Sequence, residues 1–155
     1  MIVNNKPRQW KPNATVAAII ERDGRFLMVE EETPAGLRLN QPAGHLERGE
    51  TLLQAVAREA LEESGWLFAP RGLTGIYLAD AQDGDVTYMR FAFHGDATPP
   101  AAPPRLDACI VAVHWLSFED IAAQQTRLRS PVVSQCLQDY RNGIAYPLQL
   151  IRDLR

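Results

Sequence analysis

The sequence predicts an α/β fold in which a mixed β-sheet lies between helices. Two observations carry this. Short runs rich in β-branched and small apolar residues recur at 15–20, 25–30, 73–78, 87–93 and 109–116, and turn residues bound most of them. Capped stretches of helical periodicity stand in the middle of the chain, after Thr51, and near its end, after Ser130. The resulting order, strand–strand–helix–strand–strand–strand–helix, packs best as a mixed sheet covered on both sides. At 155 residues, the chain is long enough for one full core and too short for two ordinary ones, so 1–155 reads as a single domain.

In chain order, residues 1–12 form an irregular lead-in, because Pro7 and Pro12 discourage regular structure. Residues 15–20 form a strand buried on both faces. Asp23-Gly24 is a tight turn that brings 25–30 back as the second arm of a hairpin. Glu30, Glu31 and Glu32 close that arm as solvated strand-end residues, with substrate or metal contact as the alternative. Thr33 to Gly36 form a loop, 37–40 a short extended piece, and Gln41-Pro42-Ala43-Gly44 a second loop.

The central helix opens on Thr51, which forms a capping box with Gln54, and stops at Gly65. Leu53, Val56, Ala57, Ala60 and Leu61 supply its core stripe. Strands at 73–78 and 87–93 follow around a turn at Asp83-Gly84-Asp85. The segment 97–104, ATPPAAPP, is a stiff exposed loop. Val111, Val113 and Trp115 alternate along the last strand. Ser117 caps a short helix with Asp120 at its third position, and Pro131 opens a final helix that ends near Asn142-Gly143.

Apolar and charged contents of 46% and 23% are those of a globular protein, and a net charge of −3 shows no basic stripe for nucleic acid. No run approaches the roughly 18 apolar residues of a membrane span. The N-terminus lacks the apolar core of a signal peptide, so the expected location is cytoplasmic. Cys109 and Cys136 lack zinc or redox spacing and read as buried, reduced thiols. The basic residues are nearly all arginine, which suits phosphate recognition, and Lys6 and Lys11 are the only lysines.

The chemistry concentrates on the central helix. Glu59, Glu62 and Glu63 stand at i, i+3 and i+4 and share one side. Two of them lie in the last turn, where the helix dipole makes each carboxylate cost about 0.3–1 kcal/mol. A solvated face and a divalent-cation site are the two readings, and hard cations such as Mg²⁺ take clustered carboxylates. The surrounding residues add specificity. Gly44, Glu50, Arg58, Glu59, Ala60, Glu62, Glu63, Gly65 and Trp66 match the Nudix box, Gly-x5-Glu-x7-Arg-Glu-U-x-Glu-Glu-x-Gly-U, at every fixed position, U being bulky and apolar.

The chain therefore resembles the Nudix hydrolases, which cleave X-linked diphosphates with Mg²⁺ or Mn²⁺ and fold as an α/β/α sandwich. The resemblance implies that Glu59, Glu62 and Glu63 hold metal with the carbonyl of Ala43. It also implies that Glu59 handles the attacking water, and that Arg58 orients the glutamates and Glu50 rather than touching substrate. Many Nudix enzymes carry a further acid six residues before a Trp. Counted back from Trp115, that position is Cys109, so Asp107 is the nearest choice for a further ligand or external base. Glu47, at a variable position of the box, reads as a solvated loop residue.

Gln41 to His45, Leu128 to Pro131 and Tyr146-Pro147-Leu148 resemble a bacterial group of Nudix phosphatases of the NudJ type. Members of that group release orthophosphate from nucleoside tri- and diphosphates and from thiamine-type pyrophosphates. Leu39 stands where the group tends to carry an aromatic. Gln41, His45, Arg90 and Arg129 are the expected substrate contacts, with Tyr88 beside them, and His45 reads equally as a structural histidine. The expected partner is a small phosphoanhydride, with neither nucleic acid nor membrane, and the sequence leaves the oligomeric state open, a monomer being compatible with it. Hydrolysis of ADP-ribose or dinucleoside polyphosphates is the alternative activity, and an inactive metabolite-binding module is the alternative of another class.

Overall fold

The computed structural model describes residues 9–81 and 84–155. Among the described residues, eight strands and three α-helices follow one another as β1 (Asn13–Ile19), β2 (Glu21–Arg22), β3 (Arg25–Thr33), β4 (Gly36–Asn40), β5 (Ala43–His45), α1 (Leu52–Ser64), β6 (Leu67–Asp80), β7 (Thr87–Thr98), β8 (Ile110–Ser117), α2 (Phe118–Ala122) and α3 (Pro131–Arg141). Most of the expected lead-in, and Asp83 of the expected turn, lie outside the described residues.

The strands divide between two sheets. One is mixed, in the order β5-β1-β7-β6, with β1 and β7 parallel and its other pairs antiparallel. The other is antiparallel, with β3 pairing β2, β4 and β8. Alternation along β1 places helices on both faces of the mixed sheet. Val16 and Ala18 pack with Ala55, Val56 and Ala60 of α1, whereas Ile19 packs with Val133, Cys136 and Leu137 of α3. The same alternation separates Phe93 from Ala92 on β7. The expected sandwich is present, and β1 is buried on both faces through its second half.

The hairpin differs from expectation. Asp23 and Gly24 take φ 52° and 74°, the left-handed pair of a tight turn. The arm that pairs with β3 is the short β2, while β1 turns away into the mixed sheet. Strand β3 also runs on through Glu30–Glu32, because β4 and β8 pair with it on both sides. Those glutamates are ladder residues rather than a strand end. Glu30 binds Arg127, and it pairs with His114 at 2.9 Å.

Both reciprocal bonds of the Thr51–Gln54 capping box form, and Gly65 ends α1 at φ 76° with its N–H on the carbonyl of Leu61. The buried side of α1 is rotated from the expected stripe. Leu61 is 45% exposed, whereas Glu59 and Glu63 are only 8% and 6% exposed. Strands β6 and β7 are longer than their apolar runs, because a continuous antiparallel ladder carries polar and proline positions with it. Ser117 caps α2 with the predicted box, and α3 begins at Pro131 after Ser130, as predicted. Cys136 is buried, but Cys109 is exposed, contrary to expectation, because it lies in a turn before β8.

Candidate active site

The site forms where the C-terminal half of α1 meets β5. Gly44 pairs with Val16 of β1. Along this ladder Ala18 N–H reaches Pro42 O at 2.9 Å, and Leu46 N–H reaches Ala14 O at 3.0 Å. That register points the backbone groups of Ala43 away from β1. The N–H of Ala43 donates to Oε2 of Glu63 at 2.9 Å, which ties the helix to the strand through a side chain. Gly44 is required for another reason. A Cβ there would stand 2.2 Å from the Glu59 carboxylate, so the acid occupies the place of the missing side chain.

Arg58 organises the acids. Its Nε donates to Glu50 Oε1 at 2.5 Å and its Nη2 to Glu50 Oε2 at 3.0 Å, a two-pronged ion pair. Nη1 donates to Glu59 Oε1 at 2.8 Å and to Glu62 Oε2 at 3.0 Å, and Nη2 also donates to the carbonyl of His45 at 3.0 Å. All five N–H groups of a guanidinium are thereby used. The Glu50 bond raises the Arg58 pKa further above its ordinary value, and the same bond lowers that of Glu50.

Burial pushes the Glu63 carboxyl up to about 8, against the Ala43 N–H, with Glu31, Glu59 and Asp107 adding repulsion. Burial also raises the pKa of Glu59, and Arg58 offsets part of that. Buried carboxylates that repel one another favour either a proton or a cation.

Among the described residues, no three His, Cys, Asp or Glu side chains are placed so that together they could hold a metal ion. Arg58 draws Glu59 and Glu62 to itself, and Glu63 faces the Ala43 N–H. The donor set nonetheless fits a hard divalent ion of the open kind, which takes one or two carboxylates and completes its shell with water and substrate phosphate. Such an ion would relieve the repulsion that raises Glu63, and the gap at Gly44 leaves room for the Glu59 carboxylate beside β5.

A cleft of about 770 Å³ opens in front of these acids. It collects Ala43, His45, Arg58, Glu59, Glu62, Glu63, Arg90, Asp107 and Arg129 from the expected site, with Tyr88 beside them. Asp107 reaches the cleft from the turn that precedes β8 rather than from a strand face, and its N–H donates to the carbonyl of Glu62 at 2.9 Å. His45 is exposed, with its ring centroid 6.1 Å from that of Tyr88. Arg129 stands at the rim, with Nε 3.5 Å from Glu31 Oε1. Glu47 is exposed, as expected of a loop residue.

One expectation is corrected. Gln41 does not face the cleft: it is 1% exposed, its Nε2 donates to Val133 O at 2.8 Å, and its Oε1 accepts from Arg90. The amide supports Arg90 from behind. Leu39 lies in the core with Leu128 and Val133, so it offers no stacking surface. Glu31 and Asn40 also line the cleft. For Glu31 the structure favours the alternative reading of the glutamate run, a place at the site, over the solvated strand end, whereas Asn40 carried no sequence signal.

Comparison with known proteins agrees with this geometry. A family model described as the NUDIX domain matches residues 10–136. The chain is 38% identical over 144 residues to the phosphatase NudJ of Escherichia coli K12, covering 93% of each protein. A solved NUDIX hydrolase from Nitrosomonas europaea superposes with a TM-score of 0.89 at 46% identity, covering 92% of this chain and 97% of that one. The NUDIX domain of Shewanella oneidensis NrtR, solved with ADP-ribose, shares the fold at a TM-score of 0.70 and 18% identity, covering 90% of this chain and 94% of that one. With the family model matched over most of its length and the glutamate-bearing helix set against β5, the chain belongs to the Nudix hydrolase family.

Proposed function

We propose that this hydrolase is a metal-dependent phosphatase that releases orthophosphate from nucleoside tri- and diphosphates and from thiamine-type pyrophosphates. The observation that carries the reading is the 38% identity to phosphatase NudJ across 93% of both chains, which spans the acid cluster and the walls of the cleft. Glu59, Glu62, Glu63 and the carbonyl of Ala43 would hold Mg²⁺ or Mn²⁺, each ion taking one or two of the carboxylates, with Asp107 as a further ligand or external base. When bound, the ion supplies charge neutralisation at phosphate oxygens and a water acidic enough to attack.

The protein's own residues do the rest. Glu59 accepts a proton from the attacking water as its oxygen forms a bond to the terminal phosphorus. The bridging P–O bond breaks, and the bridging oxygen leaves with the organic product. Arg58 fixes the Glu59 and Glu62 carboxylates in place, since its Nη1 bonds both. Exposed groups at the rim, Arg129 and His45, meet the outer part of the substrate.

Product analysis with thiamine diphosphate, GTP and ADP-ribose in Mg²⁺ tests the reading. Inorganic phosphate from the first two is expected. AMP from ADP-ribose, without phosphate from the others, would instead establish a pyrophosphohydrolase. Tight nucleotide binding without turnover in either metal would establish a binding module.

A further inference from the structure

Arg90 sits on β7 directly across from Thr15 of β1, which on its other side pairs with His45 of β5. Residues paired in this way share a face of the sheet, so one row runs from the acid edge of the cleft to Arg90. The row spans two strand spacings, about 10 Å. Arg90 is only 8% exposed and yet lines the cleft.

Its hydrogen bonding is unusual for a buried cation. Nη2 donates to Asn40 Oδ1 at 3.2 Å and to Gln41 Oε1, both neutral acceptors. Gln41 is turned to present its oxygen, because its Nε2 is held by Val133 O at 2.8 Å. Nε of Arg90 is buried with no hydrogen-bond partner, and among the described residues no carboxylate forms an ion pair with this guanidinium. A buried charge with no ion pair and with an orphaned donor is unfavourable, and Glu63 and Glu31 attract it only from beyond bonding distance. The guanidinium fork is complementary to a phosphate, which supplies both acceptor oxygens and charge.

We infer that Arg90 is the anion anchor of the cleft and takes the phosphate that stays on the organic product. This rests on the proposed function, which puts the scissile phosphate at the Glu59–Glu63 edge. Arg90 reaches from β7 into the same cleft that those acids line, so the next phosphate along the substrate falls to it. The substrate class is then a phosphoanhydride with a phosphate retained beside the scissile bond, and simple phosphate monoesters are poor substrates because their one phosphate, when held by Arg90, leaves none at the Glu59–Glu63 edge.

The test measures product binding by calorimetry with GMP and thiamine monophosphate, using guanosine and thiamine as phosphate-free controls. Arg90→Gln should weaken both monophosphates by at least about tenfold, as expected for lost hydrogen bonds to a charged group, and leave the controls unchanged. Arg90→Lys, which keeps the charge without the fork, should fall between. If Arg90→Gln does not fold in a thermal melt, the comparison of Arg90→Lys with wild type decides by the same criterion. Equal monophosphate affinity in variant and wild type overturns the assignment. So does a parallel loss for guanosine and GMP, which would mark a packing role or a contact with the organic part, and so does a wild type that binds neither monophosphate. Because binding needs no turnover, an inactive wild type that still binds GMP through Arg90 would overturn the phosphatase reading and leave the anchor standing.

Discussion

The Glu59 carboxylate occupies the space in which a side chain on Gly44 would lie, 2.2 Å from the position of its Cβ. The three atoms nearest that position all belong to the far end of the flexible Glu59 side chain. Gly44→Ala should therefore displace the acid at small folding cost, with activity falling about 100-fold, as expected when a reacting group moves by about 1 Å. Phosphate release measured beside a thermal melt checks this. A large loss of melting temperature with proportionate loss of activity would place the effect in the fold.

On the proposed function Arg58 is a positioning residue, and each of its nitrogens bonds the loop or the acids. Lysine offers three donors from one atom and cannot bridge Glu50, Glu59, Glu62 and the His45 carbonyl together. Arg58→Lys is expected to lower kcat about 100-fold with little change in KM. Its cost in stability should be about 1–2 kcal/mol, since the guanidinium is partly open to solvent. Kinetics and chemical denaturation separate the two effects.

Glu63 gives a pH dependence whose sign follows from its burial. Its folded pKa of about 8 lies above the ordinary 4.5, so the folded state keeps a proton that the unfolded chain releases. In metal-free protein that stabilisation is present at low pH and is lost as pH rises through the interval from 4.5 to about 8. Glu63→Gln keeps an oxygen for the Ala43 N–H without the charge. Metal-free Glu63→Gln should melt above wild type at pH 8, and the gap should close toward pH 5. Added Mg²⁺ should stabilise wild type more at pH 8 than at pH 5.5, because metal requires the deprotonated acid. Thermal melts across pH with chelator and with Mg²⁺ provide the check.

Legibility differed between helix and sheet for physical reasons. The caps of α1 and α2 and the stop at Gly65 are local chemistry, and each stood in the sequence because the bonding partners are three or four residues apart. The acid cluster was legible for the same reason. Strand ends were not, since β3 continues through Glu30–Glu32 only because β4 and β8, distant in sequence, pair with it. The rotation of α1 that buries Glu59 and Glu63 while exposing Leu61 was equally hidden, because the covering partner is β5 rather than more helix. Gln41 was expected in the site because it precedes Gly44, but the bond to Val133, far along the chain, turns it inward.

Gly65 supplies a stability prediction away from the chemistry. It has φ 76°, and a Cβ there would lie 2.4 Å from the Cβ of Pro104, so the proline-rich loop packs directly over the helix stop. Gly65→Ala meets both a left-handed backbone penalty and an overpacked contact, together about 2–3 kcal/mol. Urea denaturation should show the unfolding free energy fall by that amount. A change below about 0.5 kcal/mol would mean that the loop yields freely.

The central assignment is that the acids of α1 carry the metal-dependent hydrolysis. Mg²⁺-dependent phosphate release from thiamine diphosphate by Glu59→Gln and Glu63→Gln, beside wild type, tests it most directly. Both variants are expected to fold and to lose turnover by at least about 100-fold, while undiminished phosphate release in both would contradict the assignment.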